Sequence, residues 1–345
     1  MDYAEKYFQE KKRKFFLVLA FLSVLLTFTF IFSLNIGSSN VGLLEILTLM
    51  STSSKTSSTL INIVYNLRLP RTLAAMFIGV LLAISGVLIQ SVTRNSLAEP
   101  FLLGLSSGAL TFMALAIIIV PSIALSLHYV SVISFIGALI AFTLTLTLSE
   151  AIGGSATSLI LAGLAVTAGF SGLSSFLAFI VQSKLNMPFL ILLLGSLSQI
   201  LRGHVVMLAL VSIAGFTLAL IMAKRLNAII YGDEHALQLG YNPKTVRIFA
   251  SMLAALLTSV SVAIAGIIGF IGLIVPHMSR LIIGSDNRYV VPLSALLGAL
   301  VLCVSDIFVR IASEGLAIGE IPVGAVTSVL GAPFFAYLLL TKVKA

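Results

Sequence analysis

A chain of 345 residues that is 59% hydrophobic and only 9% charged, with a mean hydropathy of +1.16, has too few polar side chains to surround a core in water. That excludes a soluble fold. The net charge of +8 calls for no nucleic-acid partner, because the basic residues stand at the ends of apolar runs, where membrane topology accounts for them. The single cysteine, Cys303, lies inside an apolar run, which excludes an intrachain disulfide and a cysteine metal cluster.

Backbone groups in lipid must satisfy one another, and these runs are too long and too uniformly apolar for alternating barrel strands. The predicted fold is all-α, a polytopic membrane helical bundle. The basic head Lys11 to Lys14 leads straight into an apolar run of span length, with no cleavable signal evident. Spans are predicted at 15–34, 63–92, 97–120, 129–149, 157–181, 186–224 with its outer part partly lying on the surface, 246–266, 269–284, 291–310 and 322–341, about ten in all. An even number puts both termini on one side. Placing them in the cytoplasm puts 14 of the 20 Lys and Arg inside, which supports that orientation. The whole of 1–345 then forms one transmembrane domain, with 1–14 as a cytoplasmic basic N-terminus and 225–247 as a cytoplasmic loop between spans six and seven. Ser51 to Thr59 is read as an external loop.

The loop from Lys224 to Lys244 is the longest charged interruption. In it Asp233 suits an N-cap, Glu234 suits the positive end of a helix, and Gly240 suits the position just past a helix end. A helix of about seven residues is expected there. Asn242 and Pro243 then signal the start of the next span. Such an ordered segment is either a surface for something to push on or a plain turn between spans.

Close helix packing is predicted from Gly104 and Gly108, a G-x-x-x-G pair, and from Gly266, Gly269 and Gly272 recurring on nearly one face. In span five Gly163, Thr167, Ser171 and Ser174 form a stripe that either lines a water-filled path or knits helices together. Arg68, Arg71 and Arg310 fall on the outer side, where topology does not require them. They are read either as docking an acidic partner or as snorkelling at the interface, with Asp306 and Arg310 paired one turn apart. Glu99, Glu150, Asp306 and Glu320 all fall near predicted span ends, and the lack of a mid-membrane acid argues against ion coupling. His128, His204, His235 and His277 show no H-E-x-x-H pattern and are read as satisfied or interfacial rather than as metal ligands. There is no G-x-x-x-x-G-K-[ST] and no Gly-Lys pair, so the chain itself binds no ATP through a P-loop.

Several stretches in order resemble the FecCD-type permeases of ABC importers. They are Arg68-Leu69-Pro70-Arg71, Asn95-Ser96-Leu97-Ala98-Glu99-Pro100 with Leu103-Gly104 and Ser106-Ser107-Gly108, and Leu161-Ala162-Gly163. Gly232-Asp233-Glu234 through Leu239-Gly240, Gly266 through His277 with Arg280, Asp306, Arg310, Glu320 through Gly324, and Gly331-Ala332-Pro333-Phe334 complete the series. The resemblance implies a type II ABC importer permease architecture of ten spans per subunit, working as a homodimer in the cell membrane. Two cytoplasmic ATPase subunits, which carry the ATP and Mg, and an extracytoplasmic substrate-binding protein complete the assembly; this chain binds no cofactor or metal directly and is not an enzyme. The cargo implied is an iron–siderophore, haem or cobalamin.

By the same resemblance Asp233, Glu234, His235, Ala236, Leu237, Leu239 and Gly240 form the ATPase-coupling segment, with His235 standing where a small residue is usual. Arg68, Arg71 and Arg310 correspond to binding-protein docking positions. Asn95, Leu97, Thr157 and Ser158 correspond to the cytoplasmic gate, with Ser96 in place of the common proline, and Gly163, Thr167 and Ser171 to the pathway. The rival expectation from composition is an ion-coupled secondary transporter acting alone. An intramembrane enzyme lacks any nucleophile and base pair to propose.

Overall fold

A computed structural model describes residues 3–37, 63–185, 194–316 and 319–343. Among the described residues, ten helices make the bundle: α1 (Tyr3–Asn35), α2 (Leu69–Thr93), α3 (Leu105–Ile119), α4 (Leu127–Ala151), α5 (Ala156–Leu185) and α6 (Arg202–Ile230), then α8 (Pro243–Ala265), α9 (Ile271–Ile283), α10 (Asn287–Gly315) and α11 (Val323–Val343). Between α6 and α8 lies the short α7 (Asp233–Gln238). Seven of the ten are long and apolar enough to cross a membrane, and α3, α9 and α11 are shorter apolar helices. Every predicted span contains a helix, and both the predicted short helix and the start of α8 are present. Asn242 caps α8 by accepting from Thr245 N at 3.3 Å, and Pro243 takes its first position. The proposed Ser51–Thr59 loop and residues 186–193 at the outer part of span six lie outside the described residues.

At the centre of the bundle α2 packs against α6, α8, α9 and α10, while α3, α4 and α5 form a second group joined to it mainly through α8. Most of α2 is buried, and none of its residues is fully exposed. Close approach is bought at glycines: a Cβ on Gly79 would stand 2.1 Å from the Gly298 carbonyl oxygen, and one on Gly86 would stand 1.9 Å from that of Gly272. Between α2 and α8, Ser85 bonds the Thr258 hydroxyl at 2.6 Å and the Ala254 carbonyl at 2.9 Å, satisfying polar groups in the apolar interior. The outer faces of α1, α4, α5 and α6 expose large apolar side chains such as Phe21, Ile136, Phe176 and Leu210.

Several sequence expectations are corrected. Gly104, at φ +82°, is the joint between a 3₁₀ turn (Pro100–Leu103) and α3 and not a helical residue, although it and Gly108 both face Ala141 of α4, and a Cβ on Gly108 would stand 2.6 Å from Gly137 O. Gly266 and Gly269 likewise fall in the break between α8 and α9, and of that triplet only Gly272 is helical. Span six begins at Arg202 and runs on to Ile230, so part of the charged island continues the span instead of interrupting it. The start of span three is not helical until Leu105, because residues 94–104 turn back into the bundle.

Candidate functional site

At one end of the bundle α7 sits across the ends of its neighbours. Gly232 at φ +129° supplies the turn into it, so Asp233 is its first residue, not its cap. Freed from capping, the Asp233 carboxylate pairs with Arg94 at the end of α2 and with Arg247 of α8 at 3.1 Å. Arg94 also donates to Ile229 O at 2.7 Å, and Arg247 to Gly154 O at 2.8 Å. Lys244 pairs with Glu150, tying α8 to the end of α4. At the other end of α7, Gly240 at φ +79° donates to Leu237 O at 2.9 Å and Tyr241 N donates to Ala236 O, a helix end that needs a left-handed residue. Ala236 is fully buried against the bundle, while Tyr231, Leu237 and Leu239 are exposed with Glu234 and His235 around them. This gives α7 a seated side and a free amphipathic side. Nearby, burial opposes the charge on Asp286, but hydrogen bonds from Arg288 and Asn227 outweigh it and hold its carboxyl below the usual range.

Residues 94–104 start from Arg94 and climb back into the bundle. Asn95 Oδ1 accepts from Leu97 N at 3.0 Å and Asn95 O from Ala98 N at 3.1 Å, a compact turn. Four residues on, a Glu99 carboxylate oxygen accepts from Phe270 N at 2.7 Å. Phe270, left-handed at φ +67°, stands just before α9, so this carboxylate lies at the positive end of a helix. A Cβ on the adjacent Gly272 would lie about equally close to Pro100 and to Leu82 O, and Leu82 is halfway along α2. Glu99 is therefore near mid-depth, which corrects the expectation that every acid lies at a span end; its level is set by the fold of 94–104 and not by its distance from an apolar run. Its bond to Phe270 N gives it a structural partner.

The predicted gate and pathway residues separate. Asn95 and Leu97 are half-buried in the turn just described, and Thr157 is exposed at the start of α5. Ser158 is buried, with its amide held by Ser155 Oγ and its hydroxyl bonded to Ile152 O. Gly163 is where α5 meets the 3₁₀ turn: a Cβ there would stand 2.2 Å from Leu102 O, and Thr167 also points to that carbonyl, at 3.4 Å. Of the stripe, Ser171 is exposed and Ser174 is buried against Ser171 O. The open face of α5 instead carries Leu164, Gly169, Gly172 and Phe176, and the two glycines have open space where a Cβ would be.

The three arginines gather at the end opposite α7, around a cavity of about 530 Å³, but they are not exposed cations. Arg71 makes a two-pronged bond to Asp306 at 2.8 and 2.6 Å and pairs with Glu320 at 2.5 Å. Arg310 pairs with Asp306 at 3.0 Å and donates to Ser33 O and Ile36 O. Arg68, buried, donates to Leu34 O and Asn35 O. With Glu314 on the same rim, the acids match the three arginines in number among the described residues, and the expected Asp306–Arg310 pair one turn apart is present. Sequence reasoning passed over Arg94, Arg247 and the Glu99–Phe270 contact. Arg94 was legible as the neighbour of Asn95, but its partner lies 139 residues away.

The family model for the FecCD transport family matches residues 25–341. Among curated proteins, the chain is 37% identical over 330 residues to the hemin transport system permease protein HmuU of Yersinia pestis, covering 94% of this chain and 96% of that one. It is 34% identical over 335 residues to the Fe(3+)-citrate import system permease protein YfmD of Bacillus subtilis, covering 96% and 97%. Among solved structures, a metal-chelate type ABC transporter in an inward-facing conformation superposes with a TM-score of 0.82 at 28% identity, covering 94% of this chain and 99% of that one. On a match that takes in nearly all of its helices, the chain belongs to the FecCD transport family.

Proposed function

We propose that the chain is the transmembrane permease subunit of an ABC importer and carries a metal chelate, an iron–siderophore before haem or cobalamin, from an extracytoplasmic binding protein to the cytoplasm. It works as a homodimer in the cell membrane with both termini in the cytoplasm, and two ATPase subunits on that side bind the ATP and Mg. The chain is the conduit and does no chemistry of its own.

One contact carries this reading: Asp233 of α7 holds Arg94, and Arg94 is the residue before Asn95. A push on the free side of α7 by an ATPase subunit therefore reaches the gate turn through a single ion pair. The far end of that turn is fixed at mid-depth by Glu99 and Phe270, so the turn bends between one moving and one stationary anchor. The hemin, iron-citrate and metal-chelate assignments of the relatives support the class of cargo.

The test is reconstitution into liposomes with the ATPase and binding protein, following uptake of a ferric siderophore alongside ATP hydrolysis. Wild type is expected to accumulate the chelate only with both partners and ATP. Gly240→Pro, which removes the amide donated to Leu237 and cannot adopt φ +79°, is expected to hydrolyse ATP without uptake. Accumulation by the chain alone in a proton or sodium gradient would overturn the reading in favour of a secondary transporter.

A further inference from the structure

At the end of the bundle opposite α7, a cavity of about 420 Å³ lies between the first turns of α4 and α6, floored by the last turn of α8. Both helices pack on α8 but make almost no contact with each other, which leaves a lateral groove. The walls are apolar, with Phe135 of α4 and Met207 of α6, and Val206 and Leu210 beside the opening are exposed. An opening flanked by exposed apolar side chains on a membrane-spanning bundle suits acyl chains.

Its polar groups are few and alike. Ser131 is only 8% exposed, lines the cavity, and its hydroxyl has no hydrogen-bond partner. An orphan hydroxyl in apolar surroundings is unusual in a folded protein and indicates a missing partner. His204 lines the same space, and its Nδ1 accepts from Leu201 N at 3.3 Å. That bond puts the neutral ring's proton on Nε2, so the ring nitrogen not engaged by Leu201 is a donor. The same tautomer disfavours a metal, which would need the lone pair of Nε2. His128 contributes a third group able to donate. A site with donors at its polar end and an apolar groove open to lipid fits a molecule with acceptor oxygens at one end and a hydrocarbon chain at the other.

We propose that this cavity binds a phospholipid from the leaflet opposite α7, its phosphate oxygens accepting from His204, Ser131 and His128 and one acyl chain lying in the groove between α4 and α6. The site is separate from the α7 and gate region, and it stands whether or not the transport reading does.

The chain contains no tryptophan, so Met207→Trp introduces its one tryptophan, excited selectively over the tyrosines, at the cavity wall. The full-length protein is purified into nanodiscs, and quenching is compared for brominated phosphatidylglycerol and brominated diacylglycerol, which differ in the phosphate headgroup. Phosphatidylglycerol is expected to quench at about a tenfold lower mole fraction, the ratio that hydrogen bonds to a charged group produce. In Ser131→Ala with His204→Phe that advantage should fall to within about twofold, whereas Ser131→Thr, which keeps the hydroxyl, should retain it. Equal quenching by the two lipids in Met207→Trp with Ser131 and His204 intact would overturn the proposal. So would an advantage that survives in the double variant. Relief of quenching by millimolar inorganic phosphate would assign the donors to a free anion and overturn the lipid assignment.

Discussion

Arg94 illustrates how much a single side chain carries in this molecule. Its guanidinium bridges the end of α6, through Ile229 O, and the start of α7, through Asp233, while its backbone continues directly into the Asn95 turn. Both partners of the ion pair are part-exposed, so its own worth is about 1 kcal/mol, enough to shift a coupled equilibrium roughly fivefold. Arg94→Ala is therefore expected to lower chelate uptake per ATP hydrolysed about fivefold with little change in the unfolding midpoint. Arg94→Lys should recover only part, since a point charge cannot hold Ile229 O and Asp233 as a fork does. Lys244→Ala removes a pair of similar exposure that does not touch α7, and it should leave the ratio unchanged. Reconstituted transport assays read all three; an equal loss in Lys244→Ala would mean that any cation at this end serves.

At the scale of elements, hydropathy located every span because burial in lipid is a local property of sequence. It missed the two places where the chain does something else at depth. Residues 97–104 read as span from composition and 266–269 as a plain boundary between two spans, yet Glu99 and Phe270, 171 residues apart, hold each other in a pair of breaks near mid-depth. Nothing within either segment announces the other. The glycines divide in the same way: Gly298 permits backbone contact with α2, whereas Gly169 on α5 meets nothing. Gly298→Ala would place a methyl 2.3 Å from Gly79 O and should destabilise the purified protein by about 1–3 kcal/mol, read as a lower unfolding midpoint. Gly169→Ala adds helix propensity in open space and should raise stability by about 0.5–1 kcal/mol. A loss at Gly169 instead would reveal that a second copy of the chain packs on that face of α5.

For the whole molecule, the two ends have opposite designs. The α7 end presents a free amphipathic helix, while the far end presents arginines already committed to Asp306, Glu320 and backbone carbonyls. The sequence displayed three arginines beyond topological need but could not display their balance, because Arg71 and Asp306 are brought together from 235 positions apart. If an acidic protein docks there, as proposed, the docking is an exchange. Asp306 is fully buried and bridges two arginines, so it stays; Glu320, a third exposed, is the carboxylate a partner can replace on Arg71. Reversing Arg71 to glutamate would test this poorly, since a third acid beside Asp306 and Glu320 would damage the fold through like-charge repulsion. Glu320→Gln is the informative change: it leaves the cluster one positive charge in excess and Arg71 partly free. Binding-protein affinity should then rise about fivefold at low ionic strength, the worth of one part-exposed ion pair, and converge with wild type near 1 M salt, where screening acts within about 3 Å. An affinity unchanged by Glu320→Gln at every salt concentration would restrict the three arginines to holding α1, α2 and α10 together.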